Sequence, residues 1–355
     1  MKKNILVTGV AGMMGSHCTN YLIDNYGSEF DIYGVDDLSG GYKENINNKC
    51  KFTKLDLSNY KKLSKYFYKN FNKSGIEYIV HLAASAEEIR SYFTPIRNSN
   101  SNDVASRNLL TCALKHNIKH FVFFTSMSRY GDGIVKDGNN NVILQQPVPF
   151  LESYIPSPQD PYAVSKVSTE NLITAFNKIY DFTYTIFCPH NCFAPNQYTS
   201  VYRNFLAIWL NLILMNKDCY IYGDGNQTRA ISWVNDFNPI ICESLFNKKT
   251  YGQVINIGGD VYKSITDWYN IVRKVTGYDK DPIYVDKRPG EVFKAYCNHD
   301  KAERITGFKN NTKIEDAIEE MWDYFKKKGP RKFEYVKDFE IDSPKIPITW
   351  RKKLF

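Results

Sequence analysis

Two side chains four residues apart, Tyr162 and Lys166, carry the first chemistry legible in this sequence. They sit in Asp160-Pro161-Tyr162-Ala163-Val164-Ser165-Lys166, and on a helix that spacing puts both on one face. Asp160 suits the N-cap and Pro161 the first helical position. Tyr162 then falls in the first turn, where the positive end of the helix dipole favours an anion. A neighbouring ammonium also favours the phenolate. A phenol that ordinarily keeps its proton to about pH 10 is therefore expected to act as a general base near neutrality. The same spacing fits an ordinary amphipathic helix, because the chain holds 26 tyrosines and is rich in lysine. The elements around the pair have to decide.

Residues 4–8, Asn-Ile-Leu-Val-Thr, read as a short strand. Gly9-Val10-Ala11-Gly12-Met13-Met14-Gly15 follows as a turn that opens a helix to about Tyr26. A second strand, 31–35, ends at Asp36-Asp37. Strand, glycine turn, helix, strand and acid make one unit of a dinucleotide-binding sheet. Gly9 permits the tight turn, Gly12 lets the backbone approach a pyrophosphate, and Gly15 allows helix and strand to pack closely. The helix N-terminus offers free N–H groups and its dipole to the phosphates. Asp36 is placed to accept hydrogen bonds from ribose hydroxyls and to repel a 2′-phosphate, which predicts NAD over NADP.

Further strands are expected at 51–55, 78–82, 121–125, 183–187 and 254–257, with helices at 58–70 and 104–116. Strands alternating with helices predict a Rossmann-type doubly wound parallel sheet, covered on both faces. In such sheets ligands bind at the carboxyl ends of the strands. Asp56-Leu57, Ala83-Ala84 and Thr125-Ser126-Met127-Ser128 all fall there. The alanines leave room for a cofactor. Either Ser126 or Ser128 has a hydroxyl suited to a substrate hydroxyl, and position alone does not choose.

With 355 residues, 43% hydrophobic and 24% charged, the composition is that of a globular protein with a large core. No apolar run approaches the roughly 20 residues of a membrane span, and 205–215 reads as a buried helix. Lys2-Lys3 followed so soon by the glycine turn does not read as an export signal. Eight scattered cysteines without a Cys-x-x-Cys pair predict reduced thiols in the cytoplasm and no metal site. The net charge of +8 is dispersed among acids, which suits an anionic small molecule better than nucleic acid.

The glycine turn, Asp36, His81-Leu82-Ala83-Ala84, Ser126 and Tyr162-x-x-x-Lys166 together resemble the extended short-chain dehydrogenase/reductases. Pro189-His190-Asn191, Tyr222-Gly223-Asp224-Gly225, Gln227-Thr228-Arg229 and Arg288-Pro289-Gly290-Glu291 resemble, within that family, the NAD-dependent nucleotide-sugar epimerases, those acting on UDP-galactose above all. The resemblance spans about residues 4–310 in matching order. It implies 4-epimerisation of a UDP-hexose through a transient 4-keto sugar. Alternatives are a 4-keto-sugar reductase, a uronate epimerase or a non-catalytic NAD-binding sensor.

By the same resemblance Tyr162 is the base, Lys166 the nicotinamide-ribose ligand and Ser126 the helper. Gly9, Gly12, Met13, Met14, Gly15, Asp36, Asp56, Leu57, Ala83, Ala84 and Asn102 complete the NAD site. Asn191, Tyr222, Arg229 and Arg288 bind the nucleotide sugar, the two arginines at its diphosphate and Tyr222 near the uracil. Dehydratases of the family carry an acid pair where this chain has Met127 and Ser128. Arg129 departs from the small or apolar residue usual there, and either solvent or a charged sugar is within its expected reach. The implied assembly is a homodimer through the helices at 104–116 and from Tyr162, with Ala175, Phe176 and Ile179 as apolar surface. Residues 1–187 with about 232–258 are expected to form the NAD domain. Residues 188–231 and 259–330 make a smaller, discontinuous α/β substrate lobe, and 331–355 an extended tail. The helix at 314–325 is expected to open on a Thr312–Glu315 capping box.

Overall fold

A computed structural model describes residues 2–355. Its centre is a sheet of seven parallel strands. The first five in chain order are β1 (Lys3–Thr8), β2 (Phe30–Asp36), β3 (Lys51–Lys54), β4 (Tyr78–His81) and β5 (His120–Phe124). Thr183–Pro189 and Gln253–Ile257 add to the β5 side, while β4, β1, β2 and β3 follow in that order on the other.

Alternation sorts the side chains. Ile5 and Val7 of β1, Val80 of β4, and Val122 and Phe124 of β5 enter one apolar core. Leu6, Ile79, Phe121 and Phe123 enter the other, on the opposite face. A strand buried on both sides needs an unbroken apolar run with period two, and β5 (His-Phe-Val-Phe-Phe) has it. Helix α1 (Met13–Tyr26) covers the first face with Val234–Glu243; α2 (Tyr60–Phe71) and Ala105–Lys115 cover the second. The expected helix at 104–116 begins earlier, as Pro95–Ser99 running through a wider π-turn at Asn100–Val104.

Beyond the sheet, Phe205–Leu214 is a buried helix whose one polar residue, Asn211, is tied by its side chain to the backbone of Arg331. Short strands follow: Tyr220–Tyr222 beside Ile283–Val285, and Thr228–Ala230 between Tyr262–Ser264 and Lys294–Ala295. The expected capping box is not formed. The Thr312 hydroxyl donates to Asp236 at 2.6 Å instead, and Lys313 takes the N-cap without a side-chain bond. A tertiary acceptor has outcompeted the local one. The last residues carry Phe333, Ile346, Trp350 and Phe355 into the same apolar core as α1. Glu340 accepts the N–H groups of Ile96 and Arg97 at 2.6 and 2.9 Å, so the end of the chain caps the helix that Pro95 opens. Among the described residues no helix is long and apolar enough to cross a membrane.

Candidate functional site

A cleft of about 540 Å³ runs along the carboxyl ends of the strands. Gly9, Gly12, Met13, Met14, Gly15, Asp36, Asp56, Leu57, Ala83, Ala84, Ser126, Tyr162, Lys166 and Asn191 all line it. The glycine turn is sterically required: Gly9 has φ +78°, and a Cβ on Gly15 would stand 2.0 Å from the Gly9 carbonyl oxygen. Asp36 braces this turn, because Ala11 N–H and Leu38 N–H donate to its two oxygens at 3.0 and 2.7 Å. Burial pushes its carboxyl upward while those two donors pull it back. The donor set of the turn and the acceptor at Asp36 fit an adenosine diphosphate and its ribose.

Asn102 does not join the cleft wall. Its amide is spent on the Ser85 backbone, accepting at 2.8 Å and donating at 3.1 Å, and on Asn98 at 2.8 Å. The π-turn buries it one layer behind, so it shapes the loop carrying Ser85 rather than facing a ligand.

The helix Pro161–Asn177 begins as expected. Asp160 accepts Ala163 N–H at 2.8 Å as N-cap, and Tyr162 N–H is taken by the Ser91 hydroxyl at 3.1 Å. Burial pushes the Asp160 carboxyl up to about 7, with Glu88 adding to the rise. Tyr162 corrects the expectation of a lowered phenol. Burial drives its pKa well above the usual 10 and Glu88 drives it further, against a hydrogen bond from Ser126 and the positive charge of Arg203. Taking the ring out of water outweighs the dipole of the helix start. The Lys166 ammonium lies 5.8 Å from the ring centroid of Tyr162 and donates to the Phe124 carbonyl at 2.8 Å. Burial pushes Lys166 down to about 7, and Glu170 partly offsets this.

The two serines are told apart by position. Ser126 lines the cleft beside Tyr162; the Ser128 hydroxyl is buried and, among the described residues, without a partner. Arg129 reaches neither solvent nor the cleft. It turns beneath the floor and pairs with Glu170 at 3.0 Å, both side chains almost wholly buried, and the Thr125 hydroxyl donates to the same carboxylate. Glu170 follows Lys166 by one helical turn, which is why an arginine at 129 finds an acid there.

Tyr222, Arg229 and Arg288 stand outside the cleft wall, and the two arginines meet on Glu291. Arg229 reaches Glu291 at 3.3 Å and Arg288 at 2.6 Å, while Arg288 also covers one face of the Tyr222 ring at 4.7 Å. The Tyr222 hydroxyl bonds to Thr349. Asn191 is in the wall, but its Nδ2 already donates to the Ala230 carbonyl at 2.7 Å. The sequence reading missed Glu88, Arg97, Arg203, Tyr335 and Val336, all in the wall. The Glu87-Glu88 pair just past Ala83-Ala84 was a usable signal for the first; nothing local marked the last two.

Comparisons with known proteins agree with this geometry. The sequence profile of the NAD dependent epimerase/dehydratase family matches residues 5–258. A putative UDP-glucose 4-epimerase of Methanocaldococcus jannaschii is 28% identical over 322 residues, 91% of this chain and 98% of that protein. The UDP-glucose 4-epimerase of Thermotoga maritima, solved with UDP-glucose, superposes with a TM-score of 0.81 at 30% identity, covering 92% of this chain and 99% of its own. The UDP-glucuronic acid 4-epimerase of Bacillus cereus, solved with UDP-glucuronic acid and NAD, gives 0.79 at 26% identity, with 91% and 99% covered.

Proposed function

Because this chain belongs to the NAD dependent epimerase/dehydratase family, we propose that it inverts carbon 4 of a UDP-hexose and keeps its NAD throughout. The observation that carries the reading is the convergence of Ser126, Tyr162 and Lys166 beside the glycine turn in one cleft. NAD, when bound, supplies a hydride acceptor and then a donor at sugar C4. Tyr162, once its own proton has passed to solvent, takes the proton of the 4-hydroxyl on its phenolate oxygen and gives it back as the 4-keto group is reduced. Ser126 hydrogen-bonds that oxygen and the hydroxyl. Lys166, with its Glu170 neighbour, sets positive charge against the phenolate before it takes that proton, which the high resting pKa of Tyr162 requires. Arg229 and Arg288 hold the diphosphate with donors left over from Glu291.

Epimerisation is favoured over dehydration because Met127 and the inward-facing Ser128 offer no acid to expel water. A non-catalytic sensor has no use for a base, a cation and a serine in register. The test is incubation with UDP-sugars without added NAD, including substrate deuterated at C4. The label is expected at C4 of the product; its washout, or a 4-keto-6-deoxy sugar, overturns the reaction. Tyr162→Phe is expected to keep fold and NAD content and to lower the rate by about 10²–10⁴-fold. A wild-type rate in that variant removes Tyr162 from the chemistry.

The proposal extends to a cytoplasmic homodimer through the helices Ala105–Lys115 and Pro161–Asn177. Val164 on the second helix is 52% exposed and Ile179, just past its end, 78%, whereas Phe176 packs back onto its own core. A monomer mass by light scattering at micromolar concentration rejects the dimer.

A further inference from the structure

Glu87 and Glu88 stand side by side in the cleft wall and are used differently. Glu87 is committed: its carboxylate pairs with Arg90 and accepts the hydroxyls of Ser200 at 3.1 Å and Ser85 at 3.3 Å. The Glu88 carboxylate, among the described residues, forms no ion pair and accepts no hydrogen bond from another residue. Its place is nevertheless fixed. The Ser91 hydroxyl donates to the Glu88 carbonyl at 2.5 Å and accepts Tyr162 N–H at 3.1 Å, so one side chain ties the Glu88 turn to the first turn of the tyrosine's helix.

Tyr162 and Asp160 both feel the Glu88 carboxylate. Burial pushes that carboxyl upward, and Arg203, Arg288 and Arg229 pull it back without forming an ion pair with it. If carbon 4 of a hexose meets Tyr162 and the diphosphate meets Arg229 and Arg288, the sugar ring must cross Glu88. We propose that Glu88 is the sugar-reading group: it accepts hydrogen bonds from hydroxyls of a neutral hexose and excludes UDP-uronates by charge. This rests on the roles given above to Tyr162 and the two arginines.

The physics favours discrimination. A desolvated carboxylate with no partner is satisfied by a hydroxyl donor and left worse off by a second anion. Such unpaired groups separate substrates more sharply than shape does. Two enzymes of similar fold take UDP-glucose and UDP-glucuronic acid, so the fold itself does not choose.

The test compares UDP-glucose with UDP-glucuronate on the holoenzyme and on Glu88→Gln, by turnover, and on the Tyr162→Phe background by calorimetry. The wild type is expected to prefer UDP-glucose by at least about 10²-fold in kcat/KM. Glu88→Gln is expected to shrink that ratio at least about tenfold, chiefly through tighter uronate binding. Equal use of both sugars by the wild type overturns the proposal without needing a variant. C4 turnover with a ratio unchanged in Glu88→Gln rejects Glu88 alone. Discrimination in binding with no turnover of either sugar keeps Glu88 and rejects the epimerase; binding of neither rejects both.

Discussion

Glu170 and Glu291 each hold arginine next to the cleft, with opposite results. Glu170 meets one arginine, Arg129, under the floor, and burial wins: its carboxyl is pushed up despite the pairing. Glu291 meets two, Arg288 and Arg229, and although burial works upward on it the two guanidinium groups outweigh that and hold it low. The side chains differ in access too, 7% and 6% exposed for Arg129 and Glu170, but 26% for Arg288. One cluster is neutral and closed. The other carries a surplus positive charge and unspent donors, since a guanidinium has five N–H groups. The same residue types thus make a structural pin in one place and an anion site in the other.

The sharpest way to break this comparison is Arg129→Met, which leaves Glu170 buried and unpaired. A loss of about 3–5 kcal/mol in urea unfolding is expected, and Arg129→Met with Glu170→Met is expected to recover much of it. A double variant as unstable as the single one would mean that charge is not the cause. Next, Arg288→Ala or Arg229→Ala should raise KM for the UDP-sugar by an amount worth about 1.5–3 kcal/mol, with kcat changed far less. A large stability loss with an unchanged KM would place the rim cluster in the same class as the floor.

The smallest effect concerns Lys166. Its folded pKa of about 7 lies below its ordinary 10.5, so the unfolded chain binds the extra proton between those values. Stability should therefore rise with pH across that window, and Lys166→Met should flatten the rise. Glu170→Gln removes the charge that supports the ammonium, so the rise should begin at lower pH, by about one unit or less. An unmoved onset would show that Glu170 acts only through Arg129.

Much of this was legible because it is local. The alternation of Ile5, Leu6 and Val7 fixes both faces of β1, and the glycine spacing follows from contacts within a few residues. What failed was decided by partners far along the chain. Thr312 found Asp236, Arg129 found Glu170, and Asn102 was drawn behind the wall by Ser85. Tyr162 was placed correctly and its acidity was not, because burial is a property of the whole cleft. Glu88 shows in the sequence only as half of the Glu87-Glu88 pair; what separates it from Glu87 is that, among the described residues, its carboxylate has no partner.

The closing segment of the chain lines the cleft and ties together two elements beside it. Tyr335 and Val336 line it, Glu340 holds the helix start at Ile96 and Arg97, and Thr349 holds Tyr222. It works as a strap of fixed length: any motion that parts the Pro95 helix from Tyr222 must pull on residues 341–348. Trypsin cleavage after Lys345, exposed on that stretch, therefore gives a simple clock for how often the cleft opens and how far a bound nucleotide sugar slows it.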